Sequence, residues 1–157
     1  MLVRAADAGD TQAASNLVAL HMEAGDLLAA VAAAERYVDE ARPDTIVALA
    51  DARSVQARLD EAERLYRRAG ELGALRAHTA YGSFLLDVRG DAMSAEREFR
   101  EAERHNEPGW AYTLGRFLVD DGRPDEARGY LETAVGWGDR AAGELLAEIN
   151  GEDPTDD

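Results

Sequence analysis

The sequence predicts an all-α chain: a right-handed superhelical solenoid of about four helical hairpins, closed by a C-terminal capping helix. Three observations predict it. One motif recurs four times, with a large residue, an alanine thirteen or fourteen positions on, then two further members at +4 and +7 from that alanine. It reads Leu17/Ala30/Ala34/Tyr37, Leu49/Ala62/Tyr66/Ala69, Tyr81/Ala95/Phe99/Ala102 and Leu114/Ala127/Leu131/Ala134, with leading members 32, 32 and 33 residues apart. That interval is the period of stacked helical hairpins, each too small to hide its own apolar stripe and so burying it on the next. The composition agrees, because 46% of residues are hydrophobic but only 6% aromatic, and alanine dominates the apolar set. Alanine is the strongest helix former. Finally, apolar residues recur at helical spacing between regularly placed Gly, Asp and Pro breaks.

The elements follow in order. Thr11 to Ala24 carries Leu17, Leu20 and Ala24 at helical spacing, and Gly25-Asp26 ends it with a glycine stop and an Asp N-cap. A second helix covers about Leu27 to Glu40 and stops before Arg42-Pro43, where proline disfavours helix in the preceding residue. The third runs from about Asp44 to Ala57, although its turn, Gln56-Ala57-Arg58, lacks the glycine. The fourth starts near Asp60, with Asp60→Arg64 and Glu63→Arg67 as favourable i,i+4 pairs, and ends at Gly70 and Gly73. Arg76 to Val88 is the fifth, Asp91 to His105 the sixth, and Asn106-Glu107-Pro108-Gly109 breaks the chain. Trp110 to Asp120 is the seventh helix, Gly122-Arg123-Pro124-Asp125 turns the chain, and the eighth runs to about Val135 before Gly136-Trp137-Gly138-Asp139 leads into a final helix ending near Asn150.

Extending the phase defines both ends. Stepping 32 residues back from Tyr37 reaches Ala5, so the chain begins halfway through a second-type helix. Stepping 32 forward from Leu114 reaches Leu146, so the last helix is a first-type one, and Glu144, Glu148 and Asn150 suit it to cap the array. Residues 1–150 are therefore expected to form the helical array. Residues 151–157, short, acidic and proline-containing, are expected to be a disordered tail. Ala50, Gly82 and Gly115 fall where the helices of a hairpin cross, a place that demands small side chains.

The stretch Leu114-Gly115-x-x-Leu118, Gly122-Arg123-Pro124-Asp125-Glu126-Ala127, Leu131-x-x-Ala134 resembles the tetratricopeptide repeat. The segment Ala5-Ala6-x-Ala8-Gly9-Asp10-x-x-Ala13-x-x-Asn16-Leu17, echoed by Trp137-Gly138-Asp139-Arg140-Ala141-Ala142, is similar to the Sel1-type relative of that repeat. The resemblance covers about residues 5 to 150. It implies a module that binds a protein or peptide along a concave face lined by the first helix of each hairpin.

Composition excludes several function classes. The net charge is −15, from 32 acidic and 17 basic residues, and every basic residue is arginine. Nucleic-acid binding needs a basic footprint, and an anionic membrane surface selects for one too, so neither partner is expected. The lack of lysine, with abundant Ala, Gly and Asp, fits the codon bias of a GC-rich bacterial genome. No cysteine is present, which removes thiolate chemistry and cysteine metal sites. No apolar run approaches a membrane span and Met1 to Asp7 has no signal-peptide hydrophobic core, so a cytoplasmic location is expected.

Candidate chemistry is sparse. His21, His78 and His105 lie in three different repeats without metal-ligand spacing. Gly136-x-Gly138 with Gly143 has the wrong spacing for a phosphate loop, and Asp139 would set a carboxylate where a phosphate must sit. Asp120, Asp121 and Asp125 lack the alternation of a calcium loop, and no GxSxG nucleophile motif occurs. No catalytic residue, metal or cofactor is expected.

What remains is the groove. The family register places Gln12, Ser15, Ala19 and Met22, then Asp44, Val47 and Asp51, on its floor. Later repeats add Arg76, Thr79, Ser83 and Leu86, then Tyr112, Arg116 and Val119. The expected peptide-binding residues are Arg76, Thr79, Ser83, Tyr112, Arg116 and Asp51. Arg76 and Arg116 are rare positive positions suited to a carboxylate, with Tyr112 as an aromatic anchor. A second reading is structural. The N-terminal half-helix leaves Leu17 and Leu20 short of a neighbour, so a two-fold dimer joined there is the simplest closed solution, unless the chain is part of a longer repeat protein.

Overall fold

In the computed structural model residues 1–152 are described, and ten helices form among them with no strand. They are α1 (Leu2–Asp7), α2 (Thr11–Glu23), α3 (Leu27–Tyr37), α4 (Pro43–Val55), α5 (Leu59–Glu71), α6 (Ala77–Asp87), α7 (Ala92–Arg104), α8 (Trp110–Asp120), α9 (Pro124–Gly136) and α10 (Arg140–Ile149). The protein is all-α, and neighbouring helices pack in sequence order. The closest pairs are α2/α3, α4/α5, α6/α7 and α8/α9, and each pair also meets the next. In addition α2 lies against α4, α4 against α6, and α8 against α10. Of the expected tail, residues 153–157 lie outside the described residues.

Local chemistry starts and stops these helices. Asp10, Asp26, Asp91 and Asp139 each accept the backbone N–H three residues on at 2.9–3.1 Å, satisfying a donor that the helix itself cannot. The four hairpin turns place Gly25, Ala57, Gly90 and Gly122 at φ of +74°, +59°, +69° and +77°. The odd member is Ala57, whose Cβ makes the left-handed conformation costly. Ala57→Gly is therefore expected to stabilise the fold by about 1 kcal/mol, read as a higher urea midpoint at unchanged slope. An unchanged midpoint would show that this turn holds no strain.

The α3–α4 connection departs from the sequence expectation. The helix ends at Tyr37 rather than near Glu40, and the chain crosses through a tight Asp39–Arg42 turn. Thr45, almost fully buried, organises it: its hydroxyl donates to the Arg42 carbonyl at 2.7 Å and accepts from Asp39 N–H at 2.9 Å. Two other details differ. Gly70 lies inside α5, which Gly73 ends, and Asp60 pairs with Arg89 at 2.7 Å instead of Arg64. Glu63 does pair with Arg67, at 2.9 Å, but also accepts from the Tyr81 hydroxyl at 2.6 Å.

The repeated motif is the core. All its members are buried except Leu17, which is half-buried, and Ala30, Ala62, Ala95 and Ala127 are fully enclosed. The crossing points need their small residues: a Cβ on Gly82 would stand 2.6 Å from Phe99 Cε1, and one on Gly115 2.7 Å from Leu131 Cδ2. At the C-terminal end the step is shorter than expected. Leu145, not Leu146, takes the buried place equivalent to Leu114, because only Trp137 to Asp139 separate α9 from α10. At the other end α1 is anchored by Asp7, which accepts from the Tyr37 hydroxyl at 2.7 Å and pairs with Arg36 at 2.8 Å. Leu2 and Ala5 pack beside Leu17, while Met1, Val3, Leu20 and Leu28 remain exposed.

Candidate groove between the first helices

The side-by-side contact of α2 and α4 creates a groove with a cavity of about 210 Å³. From α2 it is lined by Gln12, Ser15, Val18, Ala19 and Met22, and from α4 by Asp44, Val47, Ala48 and Asp51. Leu75 and Arg76, just before α6, close one end. All seven positions assigned to the first two repeats by register line it. Three more residues line it: Val18, at +3 from Ser15 and −4 from Met22, and Ala48, at +4 from Asp44 and −3 from Asp51, share the faces the register names, whereas Leu75 precedes α6 and has no signal in the register. Its walls are mainly apolar, with two carboxylates on the α4 side.

Asp51 is the unusual group. Half-buried beside Ala50 and Ala52, it receives a hydrogen bond of 2.5 Å from the Tyr66 hydroxyl, its hydrogen-bond partner among the described residues. Tyr66 in turn lies against Tyr81 and Phe84, with ring centroids 5.9 and 5.1 Å away, which holds in place the hydroxyl that Asp51 accepts from. Burial pushes its pKa from 3.8 up to about 6, against the opposing pull of the Tyr66 hydrogen bond. The Tyr66 hydroxyl is driven well above its ordinary range, first by burial and then by the Asp51 charge. Asp44, seven residues earlier on the same face of α4, accepts from Leu75 N–H at 2.8 Å and ties the α6 approach to the groove wall.

The six expected binding residues do not form one site. Asp51 and Arg76 line the α2/α4 groove, where Arg76 donates to the Pro108 carbonyl at 3.2 Å. Thr79 is occupied by Glu107, which takes both its backbone N–H at 2.9 Å and its hydroxyl at 2.8 Å. Ser83, half-buried one turn further along α6, is in neither set of lining residues. Tyr112 and Arg116 line a separate depression of about 480 Å³ between α8 and α10, with Arg140, Glu144 and Glu148. There Arg116 pairs with Asp120 at 3.0 Å and Arg140 with Glu144 at 3.1 Å. Hydrogen bonding to Asp120 raises the Arg116 pKa further. Arg76 and Arg116 therefore belong to different depressions, and a joint clamp on one carboxylate is not what the geometry offers. The reason is that Arg76 precedes α6 and donates to the Pro108 carbonyl, whereas Arg116 lies on α8 and is held by Asp120 one turn on.

Sequence reasoning missed two polar clusters. Glu107, treated only as part of a helix break, is buried and also accepts from His78 N–H at 3.0 Å. The histidines lie in three different repeats along the sequence, yet His78 and His105 stack with ring centroids 4.6 Å apart. Glu98 holds His78 Nδ1 at 2.7 Å, and His105 Nδ1 lies 2.8 Å from the Glu101 carbonyl. Nothing in their spacing of 27 residues signals this, because it depends on how α6 meets the α7–α8 loop. The acidic turn dissolves into ion pairs: Asp120 with Arg116, Asp121 with Arg123, Asp125 with Arg128. Among the described residues no group of three or more His, Cys, Asp or Glu side chains is arranged to hold a metal ion, and no helix is long and apolar enough to cross a membrane. No protein-family model matches the chain, and no curated protein matches it.

Proposed function

We propose that the chain is a non-enzymatic, cytoplasmic protein-interaction module of the tetratricopeptide or Sel1-like kind. In this reading the four helix pairs form a right-handed superhelix capped by α10, and the concave face of its first helices holds a peptide or protein segment. The observation that carries it is the α2/α4 groove, lined at every position that the repeat register assigns to those two helices and mostly apolar between two carboxylates. Grooves of this make-up suit an inserted peptide better than a small reactant, since no nucleophile–base pair lies in it.

A photo-crosslinking amino acid at Ala19, in the groove, and another at Ala32, exposed on a second helix, test the reading in the producing cell. Protein adducts are expected from the Ala19 position and not from Ala32. Equal adducts from both, or none from Ala19, would overturn it. The alternative is self-association through the N-terminal end, favoured by the exposed Met1, Val3, Leu20 and Leu28 around α1 to α3. Sedimentation at tens of micromolar separates the two, with a dimeric mass lost on Val3→Glu expected only for the alternative.

A further inference from the structure

The groove carries more chemistry than a general docking face needs. Its walls are mainly apolar, yet Asp51 of α4 lines it with the Tyr66 hydroxyl on one oxygen, and Ser15 on the α2 wall leaves its buried hydroxyl without a partner. A carboxylate has about four acceptor sites, and Tyr66 uses one at Oδ1. Burial and poor pairing of this kind weaken a fold unless the group is completed by something else.

Resting on the reading of the groove as a peptide site, we propose that it selects a partner segment bearing a lysine, whose ammonium seats on Asp51. The ammonium is a point charge with three donors, and it fits an acceptor with one oxygen already engaged better than the two-pronged guanidinium fork does. The four-carbon lysine stem matches the apolar walls of Val18, Met22 and Val47. Charge sets the choice of residue, since the groove carries two carboxylates, Asp44 and Asp51, and the arginine that lines it, Arg76, donates to the Pro108 carbonyl, so the lining complements a cation. The partner is a different protein rather than a second copy. This chain contains no lysine, and its net charge of −15 repels its own kind.

The test uses the whole chain, labelled with ¹⁵N, titrated at pH 7.5 with three acetylated and amidated nonapeptides. These share the sequence Gly-Ser-Leu-Ala-X-Leu-Ala-Ser-Gly, with X as lysine, norleucine or glutamate. The lysine peptide is expected to shift the amides of Ala19, Met22, Ala48 and Asp51 and to bind at least tenfold more tightly than the norleucine peptide, with glutamate weakest. Asp51→Asn keeps an acceptor for Tyr66 and should fold normally. In that variant the lysine preference should fall below twofold. Equal binding of lysine and norleucine in the groove, or a preference that survives Asp51→Asn, would overturn the lysine assignment and leave the groove reading standing. Shifts confined to other faces, or no shifts in the groove with any peptide, would overturn both.

Discussion

Glu107→Ala is expected to cost about 3–5 kcal/mol of folding stability. The reason lies at the start of α6. Its N-cap, Arg76, makes no side-chain cap, so the first amides of the helix lack a local acceptor. Glu107 reaches back from the α7–α8 loop and accepts the N–H groups of His78 and Thr79 and the Thr79 hydroxyl, at 3.0, 2.9 and 2.8 Å. A carboxylate there also meets the positive end of the helix dipole. Charge-assisted bonds of this kind contribute about 1.5–3 kcal/mol each, and truncation leaves three half-buried donors without their acceptor. Asn106 at φ +49° and Pro108 hold the loop that aims the side chain. Urea unfolding followed by circular dichroism measures the loss, and Glu107→Gln, which keeps two acceptor lone pairs, should lose less than half as much. If the alanine variant loses under 1 kcal/mol, the carboxylate is not the cap of α6.

Asp51→Asn should do the opposite. At pH 7 it is expected to stabilise the chain by about 1–3 kcal/mol, by removing a charge that burial disfavours while leaving an acceptor for Tyr66. The sign follows from the protons bound. Between the ordinary carboxyl value of 3.8 and about 6 the folded chain holds a proton at Asp51 that the unfolded chain has released. Stability contributed by this group therefore falls as pH rises through that window. The gap between variant and parent should be small below pH 4, widen between 4 and 6, and stay constant above. Comparison with the parent at each pH removes the opposite trend from Glu96 and Glu126, whose arginine partners hold them below the usual range. A gap that is flat from pH 4 to 7 would show that Asp51 is solvated. A site that weakens the fold and improves when neutralised is what a binding group looks like before its ligand arrives.

Much of the architecture was legible because it rests on local rules. Trp110 to Asp120 is a helix from its apolar period alone, and Asp26, Asp91 and Asp139 cap where a short acceptor precedes a run of helix formers. The pairing of helices was legible from the 32-residue register, which sets Gly82 against Phe99 and Gly115 against Leu131, where a Cβ on either glycine would collide with the large residue of the second helix. So were the seven groove positions of the first two repeats, once the register named which helices meet. Local rules failed where one residue changes a turn. Thr45 and Pro43 re-route the α3–α4 connection, and the three-residue loop before α10 shifts its register from Leu146 to Leu145.

By itself, the sequence determined the helices, their pairing and the small-residue crossings, because each depends on neighbours along the chain or on a period repeated through it. Tertiary structure alone decided the polar partnerships: Glu107 with Thr79, Tyr37 with Asp7, Tyr66 with Asp51, His78 beside His105. These groups are 15 to 30 residues apart, and their meeting depends on helix crossing angles, loop length and side-chain rotamers. An apolar period averages over many residues and survives small changes in any of them. A hydrogen bond tolerates a few tenths of an ångström, which is why the core and the groove lining could be read from the pattern and the polar pairings could not.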